Sequence, residues 1–101
     1  MVITIVRKTF PALRSSVMRD FIQILTEGRN YQEENHNKSN ATYNLFGNLI
    51  EFISCDMPAK LRGRKRNLLY VNEANELSLE DWRQLLLRTT GRIFVDYNPS
   101  D

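Results

Sequence analysis

In the stretch LLYVNEANELS, residues 68–78, four apolar residues run into Asn72, Glu73, Ala74 and Asn75. An apolar run of this length reads as a strand, and ligands of open α/β sheets sit at the carboxyl ends of strands. A carboxylate delivered there can orient and polarise a water as a general base. An acid just before it can hold a water bound to magnesium, which is how a nucleotide hydrolase arranges the pair. Here Asn72 takes the first place and Glu73 the second. An amide can still hydrogen-bond a metal-bound water, but it brings no negative charge. The structural alternative is that Glu73 caps the turn from strand to helix.

Other polar groups fall at comparable positions: Arg7, Lys8 and Thr9 after the first apolar run, and Asp96, Asn98 and Asp101 after the last. Arg7 could face a phosphate or pair with a neighbouring carboxylate. A basic segment, DMPAKLRGRKRN at 56–67, precedes the acidic stretch and carries Lys60, Arg62, Arg64, Lys65 and Arg66. Its cations suit phosphate or DNA contacts, although no aromatic interleaves with them as a base-stacking platform would require. Cys55 and His36 are each the single residue of their type, which argues against a disulfide framework and a zinc site. His36 sits in the polar run YQEENHNKSN and reads as a solvated loop residue. The net charge of +2 does not by itself imply a polyanionic partner. No run approaches membrane-spanning length and MVITIV is too short for a signal-peptide core, so the sequence reads as soluble and intracellular.

The elements that would position these groups follow from periodicity. VITIV (2–6) is a continuous β-branched run, as in strands covered on both faces. Pro11 opens a helix in which Leu13, Val17, Phe21, Ile24 and Leu25 recur at helical spacing until Gly28. Residues 29–42 read as a mobile polar surface loop, and TYNLFGNLIEFIS as a hairpin turning at Gly47-Asn48. Ser78 and Asp81 form a capping-box pattern for a helix with Leu79, Trp82, Leu85 and Leu86 on one face, ended by Gly91. RIFVDYNPSD (92–101) is a last strand, broken at Asn98-Pro99. The sum is an α/β domain: a parallel sheet of about three main strands with two helices and an inserted β-hairpin.

The block LLYVNEANELSLEDWRQLLLRTTGRIFVDYNPSD resembles the central ATPase segment of phage terminase large subunits of the defective-prophage type, the motors that package DNA. That family carries a strand ending Glu-Ala-Asn-Glu-Leu, a Glu-Asp-(aromatic)-x-Gln-Leu helix and a strand ending Asp-Tyr-Asn-Pro. VRKTFPALRSSVMRDF is similar to the strand and helix that follow the family's phosphate-loop helix, so the resemblance covers essentially the whole chain. It implies a partial P-loop NTPase sheet of RecA-like type. Glu73 would be the catalytic glutamate of the Walker B strand, with Asn72 on the metal side through water. Asn98 would sense the γ-phosphate, and Arg62 would be an arginine finger supplied to a neighbouring subunit. The parent family uses ATP and magnesium, acts on double-stranded DNA with a portal and a small terminase subunit, and works in the cytoplasm of a bacterial host.

There is no G-x-x-x-x-G-K-(S/T), so nothing in these residues cradles the β- and γ-phosphates. Residues 1–101 therefore read as one partial domain, lacking the phosphate loop and the nuclease domain, binding no nucleotide tightly and inactive alone. VITIV and IFVDY lack obvious strand partners, which predicts self-association or rearranged pairing. Two rivals stand beside this reading. One is a helicase-type RecA-like piece; the other is a small non-catalytic module that binds nucleic acid through the basic loop 60–66.

Overall fold

A computed structural model describes residues 1–61 and 63–97. Strand β1 (Val2–Arg7) is followed by helices α1 (Phe10–Arg14) and α2 (Val17–Glu27), then β2 (His36–Asn37), β3 (Thr42–Leu45) and β4 (Asn48–Ser54). Helix α3 (Pro58–Leu61), β5 (Arg66–Val71), α4 (Leu79–Leu87) and β6 (Thr89–Val95) complete the chain. The six strands form one sheet in the order β2-β3-β4-β1-β5-β6. Pairing is parallel from β4 through β1 and β5 to β6, and antiparallel among β2, β3 and β4.

The β-branched run therefore lies inside the sheet, with Val2–Arg7 paired to Leu49–Ser54 on one side and Ile3–Val6 to Leu68–Val71 on the other. The expectation that VITIV lacks a partner is corrected, because the second arm of the hairpin is itself a long apolar strand. NLIEFIS pairs with β3 on one edge and with β1 on the other, so the hairpin feeds a fourth parallel strand into the sheet. Its turn is Phe46-Gly47, both at positive φ (50° and 82°), the combination that two-residue hairpins favour. That is one position earlier than the sequence suggests.

Each face of the sheet has its own core. On one face α1 and α2 pack Leu13 and Leu25 over Tyr43, Ile50 and Phe52, with Phe21 edge-on to Tyr43 and Phe52. On the other, Leu61 of α3 and Leu85 of α4 cover Val6, Ile53, Leu69 and Val71. The single helix expected from Pro11 to Gly28 breaks at Ser15-Ser16, where the Ser16 hydroxyl donates to the Ala12 carbonyl (2.6 Å) and competes with the helix's own bonding. Gly28 does cap α2, and Ser78 and Asp81 make both bonds of the capping box.

Three further expectations change. Helix α4 ends at Leu87, and Gly91 lies within β6, where an added Cβ would stand 2.0 Å from the Asn67 carbonyl oxygen. Leu79 and Leu86 are exposed, and α4 meets the core through Leu85 and Trp82. The 29–42 segment carries a 3-10 turn and the edge strand β2. There His36 accepts or donates at Nδ1 with the Tyr31 hydroxyl at 2.7 Å and packs against the Tyr31 and Tyr43 rings, so it is a partnered residue and not a solvated one. No helix among the described residues is long and apolar enough to cross a membrane.

Candidate functional site at the carboxyl ends of strands β5 and β6

Strand β5 ends at Val71, and Glu73 follows in the left-handed region at φ 55° and ψ 56°. A non-glycine residue adopts that conformation only where its surroundings hold it. The holder is Asp96. Its backbone N–H donates to the Val71 carbonyl (3.0 Å), and its own carbonyl accepts from the Ala74 N–H (2.7 Å). Its carboxylate accepts from the Glu73 N–H (2.7 Å) and from the Asn72 side-chain amide (3.1 and 3.2 Å), and also from the Tyr70 hydroxyl. The turn at 71–74 is thus built around one residue of the neighbouring strand.

Burial disfavours charge on Asp96, but the bonds from Tyr70, the Glu73 N–H and Asn72, with Arg7 nearby, outweigh it and hold the carboxyl below the usual range. The same contact raises the Tyr70 phenol, first through its bond to Asp96 and then through burial. Asp96 is therefore an anion at neutral pH. Glu73 stands at the N-cap of the 3-10 turn Ala74–Glu76, yet its side chain makes no capping hydrogen bond. The structural alternative for Glu73 is accordingly not realised. Its carboxylate, half-buried at the strand's end, is engaged by no hydrogen bond or ion pair among the described residues.

The surrounding charges are paired. Arg7 bonds Glu76 (3.3 Å) and the Ser16 hydroxyl (2.9 Å), which is the carboxylate pairing considered for it and draws its side chain toward α1. Lys8 bonds Asp81 at 2.7 Å; the hydrogen bond raises the lysine, and Asp81 is lowered because that bond and those from Ser78 outweigh its burial. Burial, with the Asp81 charge beside it, pushes the Cys55 thiol up to about 12, so it is no nucleophile.

The basic segment runs from the carboxyl end of β4 back to the start of β5, which places Arg66 on the order of 20 Å from Glu73 at a strand's rise per residue. Arg66 was expected to contact phosphate or DNA, and the structure corrects this: its residue is 0% exposed. Its terminal nitrogens donate to the Leu85 and Leu61 carbonyls (3.2 and 3.3 Å) at the ends of α4 and α3. Arg64 pairs with the buried Glu51 (3.3 Å), which also accepts from the Thr4 hydroxyl. Lys60 and Arg64 line a cleft of about 270 Å³ with Glu51 and Thr42, and Lys65 is exposed. Among the described cations of this segment, Lys60 and Lys65 remain for an external anion. Arg62 and Asn98 lie outside the described residues.

Reasoning from the sequence placed Asp96 at a strand end without giving it a role, and missed Tyr70. Their role appears only with the β5–β6 register, which pairs Val71 with Val95 and makes Asn72 and Asp96 the next opposed pair. Among the described residues no three His, Cys, Asp or Glu side chains converge to hold a metal ion. Asn72 donates to Asp96, whose carboxylate is itself engaged by three groups. This donor set does not by itself fit a magnesium ion, and the sequence has no G-x-x-x-x-G-K-(S/T).

No protein-family model matches the sequence, and no curated protein matches it. The fold does have solved counterparts. The large terminase of a thermophilic bacteriophage superposes with a TM-score of 0.79 at 17% identity, covering 97% of this chain and 26% of that one. A second crystal form of the same terminase, in complex with ADP, gives 0.69 at 17% identity over 93% of this chain and 25% of that one. The chain thus has the fold of one stretch of a phage large terminase, and spans about a quarter of the length of the structures it matches.

Proposed function

We propose that these residues are the middle of the ATPase domain of a DNA-packaging terminase, with Glu73 as the group that activates the attacking water. The observation that carries this reading is the pairing of a fixed backbone with an unengaged carboxylate. Glu73 is locked by Asp96 at the carboxyl end of a central parallel strand, yet its side chain takes no part in capping or ion pairing among the described residues. Such a group is free to accept a hydrogen bond from a water and take its proton. The resemblance of the 68–99 block and the terminase-like fold support the same conclusion from independent directions.

In this reading ATP and magnesium, when bound, supply the transferable phosphoryl group and the charge that neutralises it. The residues that hold them belong to other parts of a longer protein, and this chain alone does not hydrolyse ATP. Were magnesium and ATP bound, Asn72 would reach the metal only through water, and Asn98 would be the group that senses the γ-phosphate. Arg62 serves the site of an adjacent subunit, as the resemblance implies. Double-stranded DNA, a portal and a small terminase subunit are the partners this reading entails.

The sheet offers room for the rest. Among the described residues β6 is paired along one edge, and Ile93, Phe94 and Val95 are each exposed by 42–50%. An apolar groove of about 330 Å³, lined by Ile3, Ile5, Val17, Leu68, Tyr70 and Phe94, is open beside it. A strand and helix leading into β1 with the handedness that parallel crossovers follow would pair with β6 and cover that groove.

The test is the coding DNA upstream of Met1, over roughly one hundred codons, about the length of a domain portion. An in-frame G-x-x-x-x-G-K-(S/T) after an apolar run is the expected finding; a stop codon with no such motif would overturn the reading. The rival nucleic-acid module predicts salt-sensitive DNA binding that is indifferent to ATP and survives Glu73→Gln. The burial of Arg66 and the pairing of Arg64 weaken it.

A further inference from the structure

We propose that Asp96 is the positioning residue for Glu73, and that position 72 is an amide because Asp96 already provides the one carboxylate the paired ends of β5 and β6 hold. The functional meaning of this inference rests on the reading of Glu73 given above; its structural content does not.

Backbone N–H, backbone carbonyl and carboxylate of Asp96 each bind the 71–74 turn, so the turn follows β6 and not its own short-range bonding. Glu73 sits at φ 55°, and its N–H has the Asp96 carboxylate as acceptor. Without that carboxylate, the two backbone bonds of Asp96 to Val71 and Ala74 remain, but the Glu73 N–H loses its charged acceptor. Position 72 is equally constrained. The Asn72 amide nitrogen lies 3.1 and 3.2 Å from the two Asp96 oxygens, so an aspartate at 72 would bring a second carboxylate to within about 3 Å. Two carboxylates that close do not both ionise. The donor amide and the acceptor carboxylate are therefore one unit, and the charge that a Walker B strand ordinarily carries at position 72 is found across the strand pair, on β6. The groups facing this carboxylate are Tyr70 and Asn72 from β5 and its extension, the Glu73 N–H, and Arg7 from β1.

The unit predicts that exchanging the two residues restores what either change alone destroys. The 101-residue chain is compared with D96N, N72D and the exchanged pair N72D/D96N by NMR. The readouts are amide hydrogen exchange at Glu73, the titration of the Tyr70 ring, and exchange at Leu69 as a control for the fold. In D96N, whose amide oxygen still accepts but without the charge, exchange at Glu73 is expected to accelerate about tenfold or more, clearly beyond the smaller change at Leu69 that reports global stability. The Tyr70 titration moves down toward the ordinary tyrosine value. N72D is expected to accelerate Glu73 at neutral pH as well, and the exchanged pair to return it toward wild type, since an amide at 96 can donate to a carboxylate at 72. Unchanged protection of Glu73 in D96N, or an exchanged pair no better than the two single changes combined, overturns the proposal. Should D96N fail to fold, N72D against the exchanged pair decides it alone. These results are independent of hydrolysis, so a failure of Glu73 as the water-activating group would show elsewhere and leave them standing.

Discussion

At its amino end strand β5 buries the Arg66 guanidinium, with both terminal nitrogens bonded to carbonyls at the ends of α3 and α4. At its carboxyl end the same strand leads to Glu73, whose backbone is tied by Asp96 and whose side chain is left unengaged. One end carries a guanidinium used to join elements, and the other a carboxyl side chain that joins nothing among the described residues. Burial disfavours the arginine's charge and the nearby Glu51 favours it, so the guanidinium stays ionised as arginines in proteins do. The contrast shows that residue type and position in a strand do not identify a working group. What separates the two is whether the fold engages the side chain's terminal groups, as it does both terminal nitrogens of Arg66 although the buried Nε has no partner among the described residues.

The contrast orders what substitutions should do to stability. Arg66→Ala removes two charge-assisted bonds and leaves the Leu61 and Leu85 carbonyls buried without donors, so it should destabilise by about 3 kcal/mol in denaturant unfolding. If it instead left stability unchanged and weakened only nucleic-acid binding, the joining role would be wrong. Gly91→Ala should cost roughly 2 kcal/mol, because the new Cβ meets backbone at 2.0 Å and β5 and β6 must separate locally. Asp96→Asn should cost about 1 kcal/mol at neutral pH.

That last effect has a pH signature. The Asp96 carboxyl is held below its ordinary value in the folded chain, so the unfolded chain takes up protons first as the pH falls. Its contribution is present above the ordinary carboxylate range, near about pH 4, and is lost as the pH drops through the lower folded value. Asp81 is lowered too and adds to the same acid loss. Asp96→Asn should therefore flatten part of the acid limb of a stability–pH curve, and an unaltered limb would count against an ionised Asp96. The smallest effect belongs to Glu73→Gln, expected to change stability by less than about 0.5 kcal/mol because no bond is lost.

Much of this arrangement could be read from the amino acids. Continuous apolar runs marked β1 and β5, the Ser78 and Asp81 pair marked the start of α4, and the change from LLYV to NE marked the site. The rest depended on contacts distant in sequence. Strand β4 looked like half of an isolated hairpin because nothing local says that its second edge pairs with a strand more than forty residues earlier. Gly91 read as a helix end, since its closeness to Asn67 exists only once β5 and β6 are paired. Arg66 read as a surface cation, because a basic cluster gives no sign of which member the sheet will enclose. Asp96 was seen as polar but not as the anchor of Glu73, which needed the β5–β6 register.

The most direct measurement is ATP turnover by the intact product of the reading frame that contains these residues, wild type against Glu73→Gln. Loss of at least about a hundredfold in kcat, with KM and folding preserved, is what a water-activating carboxylate requires. Turnover undiminished by the substitution would show that the unengaged carboxylate at the end of β5 is not the group that activates water.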